Sequence, residues 1–232
     1  MRTAIIGAME EEIRHFLSLG ESFEEHQKAH LTLYTGTLHG TDVVITRCGV
    51  GKVNAAVTTQ ILIDVFNAER IIFTGVAGAL EPSLEIGDLV VSEACRQHDL
   101  DASPLGFAKG EVPMFDGPSL FRADENLVRI AAETAEQVSG VQVMRGIILS
   151  GDQFVADRDR VAELRSEFDG VCVEMEGAAV AHAAMVNKVP FVILRSISDK
   201  ANGQAPENFN GFVEKTAARS AQIVEHMLNR LS

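Results

Sequence analysis

The chain is short of cysteine, of positive charge and of long apolar runs, and each shortage narrows what it can be. Its three cysteines, Cys48, Cys95 and Cys172, lie far apart with no C-x-x-C pairing. Each sits in or beside an apolar run, so they read as small core residues in a reducing compartment. Lys and Arg number 20 against 33 Asp and Glu, a formal net charge of -13. That balance excludes a protein that grips nucleic acid through its phosphates, and equally one that adheres to an anionic membrane surface. The apolar stretches are broken by charges before they could span a bilayer, and Met1-Arg2-Thr3 leads into a strand with no signal-peptide pattern. A cytoplasmic protein is expected, without nucleic-acid or membrane partners. His98-Asp99-Leu100-Asp101 has residue types that bind metals, but no second cluster has matching ligand spacing, so neither a metal nor a cofactor is expected. Internal repeats, low-complexity tracts and linkers are also missing.

What is present is an alternation of β and α patterns over 232 residues, 46% of them hydrophobic and 23% charged. This composition excludes disorder and suits one domain, 1–232, of the α/β class: a central mixed β-sheet flanked by helices. The stretch Val171 to Ala184 organises the rest. Val171-Cys-Val173 reads as a buried strand, and the alanine-rich run after Gly177 as a helix with few solvated positions. Glu174 and Glu176 stand at the turn between them. Either both point to solvent, or they are put to use; the apolar flanks favour use, because burying an ionised carboxylate is costly unless it is paired.

Thr3 to Gly7 is a strand, and Met9, Ile13, Phe16 and Leu17 then give one helical apolar face. Glu11 falls opposite that face, while Glu10 and Glu12 flank it, and periodicity does not choose between them. Leu31 to Gly40 and Thr41 to Cys48 read as paired strands, and Gly49-Val-Gly-Lys52 opens a helix through Phe66. It is not a P-loop, since Val53 follows Lys52 where a Ser or Thr is required. Arg70 to Thr74 is a strand running into Gly75-Val-Ala-Gly78, small residues that let a flat ligand approach the main chain. Further strands are Leu89 to Ser92, Val141 to Ser150 and Pro190 to Leu194; helices are Asp124 to Val138, Asp157 to Phe168 and Pro206 to Leu231. Asp99 to Ser119 is a long loop of the kind that serves as a lid, binding loop or interface.

In an open α/β sheet, ligands bind outside the carboxyl ends of the strands. Four such ends carry unusual residues: Gly7 to Glu12, Thr74 to Gly78 (with Ala77), Val173 to Glu176, and Arg195 to Asp199. Their acids, one arginine, small residues and the apolar surfaces of Met9, Met175 and Phe154 suit a polar sugar joined to a flat ring.

The motifs Gly7-Ala-Met-Glu-Glu-Glu12, Gly49-Val-Gly-Lys52, Thr74-Gly-Val-Ala-Gly78, Ser150-Gly-Asp152, Val173-Glu-Met-Glu176 and Ser196-Ile-Ser-Asp199 occur in an order and at spacings that resemble the bacterial 5′-methylthioadenosine/S-adenosylhomocysteine nucleosidases. These belong to the purine nucleoside phosphorylase superfamily, and the likeness covers nearly the whole chain. It implies a nucleoside phosphorylase-like fold and an irreversible hydrolysis that frees adenine from a 5-substituted ribose through an oxocarbenium-like state. By the same likeness Asp199 is the acid at N7 of the adenine, with Ser198 positioning it, and Glu12 is the base that orients water, which resolves the tie left by the helix wheel. Glu176 would accept the ribose hydroxyls and Arg195 would position water and sugar. Met175 would pack on the ribose, Phe154 on the purine, and the Val155 backbone would read the base edge. Met9, Val50 and Phe209 match the 5′-substituent pocket. Leu105 and Pro113 match positions that the family contributes across a homodimer interface, from a loop at 102–118. Val76 departs from a hydroxyl residue common in relatives, and Gln97, Ala102, Leu105 and Phe107 give the 5′ side a different lining.

Three rivals stand beside this reading. A phosphorylase on the same fold would need basic residues for phosphate, where the first turn offers Glu10, Glu11 and Glu12. A non-catalytic nucleoside-binding domain would not need both Glu12 and Asp199. A metal enzyme lacks a ligand set.

Overall fold

The computed structural model describes residues 1–20, 22–138, 140–200 and 209–231, and of residues 209–215 the backbone alone. The first third of the chain supplies β1 (Thr3–Gly7), α1 (Glu10–Leu19), β2 (Phe23–Lys28), β3 (Leu31–Leu38), β4 (Thr41–Arg47) and α2 (Lys52–Asp64). The apolar run Ala4-Ile5-Ile6 places β1 in the interior, parallel to β4 on one side and to β5 (Arg70–Ala79) on the other. Beyond β4 the sheet continues through antiparallel β3 to β2 at the edge. β2 has no counterpart in the sequence reading. Its residues, Phe-Glu-Glu-His-Gln-Lys, carry the charge of an exposed edge strand and lack an alternating apolar face.

After β5 come β6 (Leu89–Gln97), the two-residue β7 (Phe121–Arg122), α3 (Glu125–Val138), β8 (Val143–Ser150), α4 (Arg158–Phe168), β9 (Gly170–Glu174), α5 (Gly177–Val186), β10 (Phe191–Asp199) and α6 (Phe209–Leu231). All strands join one mixed sheet, as expected. The strands near the site are longer than the sequence suggests, however. β5 continues through Gly75 to Ala79, β6 runs on to Gln97, and β10 includes Arg195 to Asp199. β-propensity fails there because Gly, Ala, Ser and Asp are poor strand formers by themselves, and pairing with neighbours overrides that preference.

That extension changes the topology. β5 pairs in parallel with β10, and its last residues turn to pair antiparallel with β9, Gly78 opposite Val173 and Ala79 opposite Cys172. β10 also pairs with β6, β6 with β8 and β8 with β9. Thus β5, β10, β6, β8 and β9 close into a ring, with the rest of the sheet extending from it as an open wing. Strand ends that an open sheet would splay apart are gathered on one rim.

The core fills both faces of this sheet. Ile5, Ile72, Phe73, Ile193 and Phe16 are fully buried, as are Ile223, Val224, Met227 and Leu228 of α6, which packs against α1 and α3. Each such side chain contributes about 1.5–3 kcal/mol when removed from water. The three cysteines are buried free thiols. Among the described residues no helix is long and apolar enough to cross a membrane.

Candidate active site

A cavity of about 300 Å³ opens on the rim where the ring meets the wing. Its wall includes Met9 and Glu12 from the start of α1, Val50 from the turn before α2, Ala77 and Gly78 from β5, and Phe154 and Val155 after β8. Val173, Met175 and Glu176 add the β9–α5 turn, and Arg195, Ser198 and Asp199 the end of β10. The strand ends singled out in the sequence therefore share one space.

Glu12 stands in the first turn of α1 and is 2% exposed, whereas Glu10 and Glu11 are half-buried. One of its oxygens, Oε2, accepts the N–H groups of Ala8 at 2.6 Å and Met9 at 2.9 Å. Burial pushes its carboxyl up from the ordinary value; the Arg195 charge and the main-chain donors of Met9, Ala8 and Val76 oppose this. The result is a buried carboxyl held by fixed dipoles at the cavity. Gly75 is essential to this packing: a Cβ there would stand 2.5 Å from Arg195 Nη1 and 2.9 Å from Glu12 Oε1. Val76 serves through its main chain, bonded to Glu12.

Glu174 and Glu176, the two carboxylates of the β9–α5 turn, are both buried, so the solvent reading falls, and their settings differ. Glu174 is saturated. It takes the Ser150 hydroxyl, the N–H groups of Glu176 and Gly177 at the start of α5, and Arg195 Nη2 at 2.5 Å. Among the described residues Glu176 accepts only the Gly51 N–H, at 2.8 Å, and its other oxygen is 4.0 Å from Arg195 Nη2. Burial, and then repulsion from Glu174, raise its carboxyl to about 7, with Arg195 and the Gly51 N–H pulling the other way. Glu176 thus retains acceptor capacity facing the cavity.

Arg195 is 1% exposed. Burial alone would favour its neutral form, but Glu174, Glu176 and Glu12 around it raise its pKa above the usual arginine value. Its guanidinium carbon lies 4.0 Å from the centre of the Phe73 ring, and among the described residues Nε and Nη1 have no hydrogen-bond partner. One fixed cation among three carboxyl groups leaves a region suited to developing positive charge.

At the end of β10, Ser198 Oγ donates to Asp199 Oδ2 at 2.8 Å and lies 3.3 Å from the Ala77 carbonyl. Regular alternation would send Ser198 and Asp199 to opposite faces. The register shift between β10 and β5 at Ile197/Asp199 brings both to the cavity. Phe154 is 67% exposed at the mouth, and Val155 is buried.

Leu105, 73% exposed on a short 3-10 turn, and Pro113, half-buried in the same long loop, stand apart from this chain's cavity, as residues expected to serve a partner's pocket would; the Phe209 side chain lies outside the described residues. Gln97, Ala102 and Phe107 are also absent from the wall; Gln97 instead accepts a hydrogen bond from Lys52 Nζ at 3.0 Å. His98, Asp99 and Asp101 form no cluster: Asp99 pairs with Lys52, and Asp101 caps Ser103. Sequence reasoning overlooked the seat of Arg195, namely Glu174 with Ser150. The signals for it were Glu174 between its apolar flanks and the Ser150-Gly-Asp152 motif.

The profile of the Phosphorylase superfamily matches residues 2–229. A relative from Geobacillus kaustophilus, named 5′-methylthioadenosine/S-adenosylhomocysteine nucleosidase, is 43% identical over 230 residues, 99% of this chain and 97% of its own. The crystal structure of the nucleosidase of that name from Neisseria meningitidis, in complex with methylthio-immucillin-A, superposes with a TM-score of 0.93 at 38% identity, covering 99% of each chain. The native structure of a futalosine hydrolase from Helicobacter pylori gives a TM-score of 0.93 at 36% identity, over 99% of this chain and 98% of the other.

Proposed function

The chain belongs to the phosphorylase superfamily and, within it, to the 5′-methylthioadenosine/S-adenosylhomocysteine nucleosidases, and on that premise we propose that it hydrolyses the N-glycosidic bond of 5′-methylthioadenosine, S-adenosylhomocysteine and 5′-deoxyadenosine. The products are adenine and the 5-substituted ribose. Such chemistry belongs to methionine salvage and to clearance of methylation by-products, in a cytoplasmic homodimer without cofactor or metal.

The mechanism assigns opposite walls of one cavity to opposite ends of the breaking bond. Adenine lies on Phe154, its edge read by the Val155 main chain, with Asp199 sharing a proton with N7 and Ser198 orienting that carboxyl. As the bond lengthens, electrons pass to the protonated base and the sugar becomes cationic. Glu176 holds the ribose hydroxyls, Met175 packs on the ring, and Glu12 takes a proton from water attacking the anomeric carbon. Arg195, seated on Glu174, orients water and sugar through its unpartnered donors. Met9, Val50 and Phe209 are assigned to the 5′-substituent, together with the partner's 102–118 loop carrying Leu105 and Pro113. Exposed Val53 and Val57 of α2 and Val186 of α5 support a homodimer.

One observation favours water over phosphate. The Ala8 and Met9 N–H groups, which could cradle an anion at the start of α1, are already taken by Glu12. Incubation with methylthioadenosine is expected to give methylthioribose at a rate independent of added phosphate. Phosphate-dependent formation of a sugar 1-phosphate would refute hydrolysis, and no turnover with tight adenine binding would favour a sensor.

A further inference from the structure

Lys52, Asp99 and Asp152 lie outside the cavity wall, yet they tie together the turns that form it. Lys52 Nζ donates to Asp99 Oδ1 at 2.6 Å; Asp99 Oδ2 accepts the Asp152 N–H at 2.9 Å; Asp152 Oδ1 accepts the Lys52 N–H at 2.8 Å. The three bonds close a cycle through the segments that follow β4, β6 and β8. On one side of the cycle is Gly51, whose N–H reaches Glu176 and whose φ of +98° belongs to glycine. On the other is Gln153 to Val155, a stretch of cavity wall.

The cycle is built to hold. The Lys52 and Asp99 side chains are only 17% and 16% exposed, so their attraction is less screened than that of a surface pair. Burial alone pushes the Asp99 carboxyl up, but the Lys52 ammonium and the Asp152 N–H outweigh it and hold it below the usual range. A Cβ on Gly51 would stand 3.2 Å from Asp152 Oδ1, a tight contact that would press on this latch.

We propose that Lys52, Asp99 and Asp152 are positioning residues that set the Gly51 N–H against Glu176 and the 153–155 wall against the base, so that the sugar and base halves of the cavity are held in register. This inference rests on the nucleosidase reading, and the two fail differently. Wild-type inactivity on methylthioadenosine would sink the reading itself, whereas the latch is judged by variants of an active enzyme.

The experiment compares Asp99→Ala and Lys52→Met in full-length protein, following kcat/KM for methylthioadenosine against pH. Freeing Gly51 removes a donor that favours ionised Glu176, a group also faced by Glu174, Arg195 and Glu12. Both variants should therefore lose roughly ten- to a hundredfold in kcat/KM near neutral pH, and in both the acid limb should move upward. Asp99→Asn, which keeps the shape and one acceptor, should recover part of the loss. The two variants change net charge in opposite senses, so an effect carried only by long-range charge would move the two limbs in opposite directions. That result, or unmoved limbs with a loss that merely tracks the folded fraction, would overturn the proposal. Should Asp99→Ala fail to fold, Lys52→Met with a Lys52→Arg control decides alone: an upward limb restored by arginine supports the latch, and an unmoved limb overturns it.

Discussion

The two halves of the cavity are made differently. The half proposed to hold the sugar is carried by paired strands and helix starts, and its charged groups, Glu12, Glu174, Glu176 and Arg195, are all less than 9% exposed and bonded to main chain or to one another. The half proposed to hold the base joins a bulged strand end to an irregular segment with Phe154 at the open mouth. Charge stabilisation needs dipoles that do not reorganise during the reaction, which favours a buried and cross-braced half. A planar base must enter and adenine must leave, which favours a side with exposed apolar surface at its mouth.

Substitutions can break this contrast in a graded way. The largest losses should come from the proton-handling groups on either wall. Glu12→Gln and Asp199→Asn should each lower kcat by roughly a hundred- to ten-thousandfold, with little change in adenine affinity, as single-turnover and equilibrium binding measurements would report. Next is Glu174→Ala, which strands Arg195 in the interior. It should cost about 3–5 kcal/mol in urea unfolding as well as activity.

A pH experiment sharpens the same point. The Glu176 carboxyl is raised to about 7 in the folded chain. A raised carboxyl keeps its proton in the folded state after the unfolded state has lost it, so its contribution to stability falls as pH rises from about 4.5 towards 7. Glu176→Gln removes that decline. Its melting temperature relative to wild type should rise across this window, by the equivalent of roughly 1–3 kcal/mol, while activity drops. Smallest is Phe154→Ala. It should raise KM about tenfold with kcat little changed, and leave stability within about 0.5 kcal/mol because the ring is largely exposed.

Legibility in the sequence follows the same division. Glu174 and Glu176 stood out because carboxylates between apolar elements are conspicuous, whereas Glu12 and Asp199 were named from the resemblance in the six motifs, which also chose Glu12 over Glu10 where periodicity had left the choice open. The mixed sheet followed from alternating patterns. Ring closure did not, because it depends on Gly78 and Ala79 pairing with Val173 and Cys172 across ninety-odd residues. Nor did the seat of Arg195: Ser150 and Glu174 meet only once β8 and β9 are parallel neighbours. β2 escaped because an exposed edge strand needs no apolar alternation. The partition of Lys52, Asp99 and Asp152 into one cycle is likewise a matter of which strands end side by side, something local patterns do not encode.

The most direct test of the two-walled mechanism is a crystal structure of the Asp199→Asn variant with intact methylthioadenosine bound. The account predicts the side chain at position 199 on N7 of the adenine, the ribose hydroxyls on Glu176, and a water held by Glu12 at about 3–3.5 Å from the anomeric carbon on the face away from the base. A nucleoside seated with Glu12 and residue 199 on the same side of the sugar, or with its ribose turned away from Glu176, would contradict it.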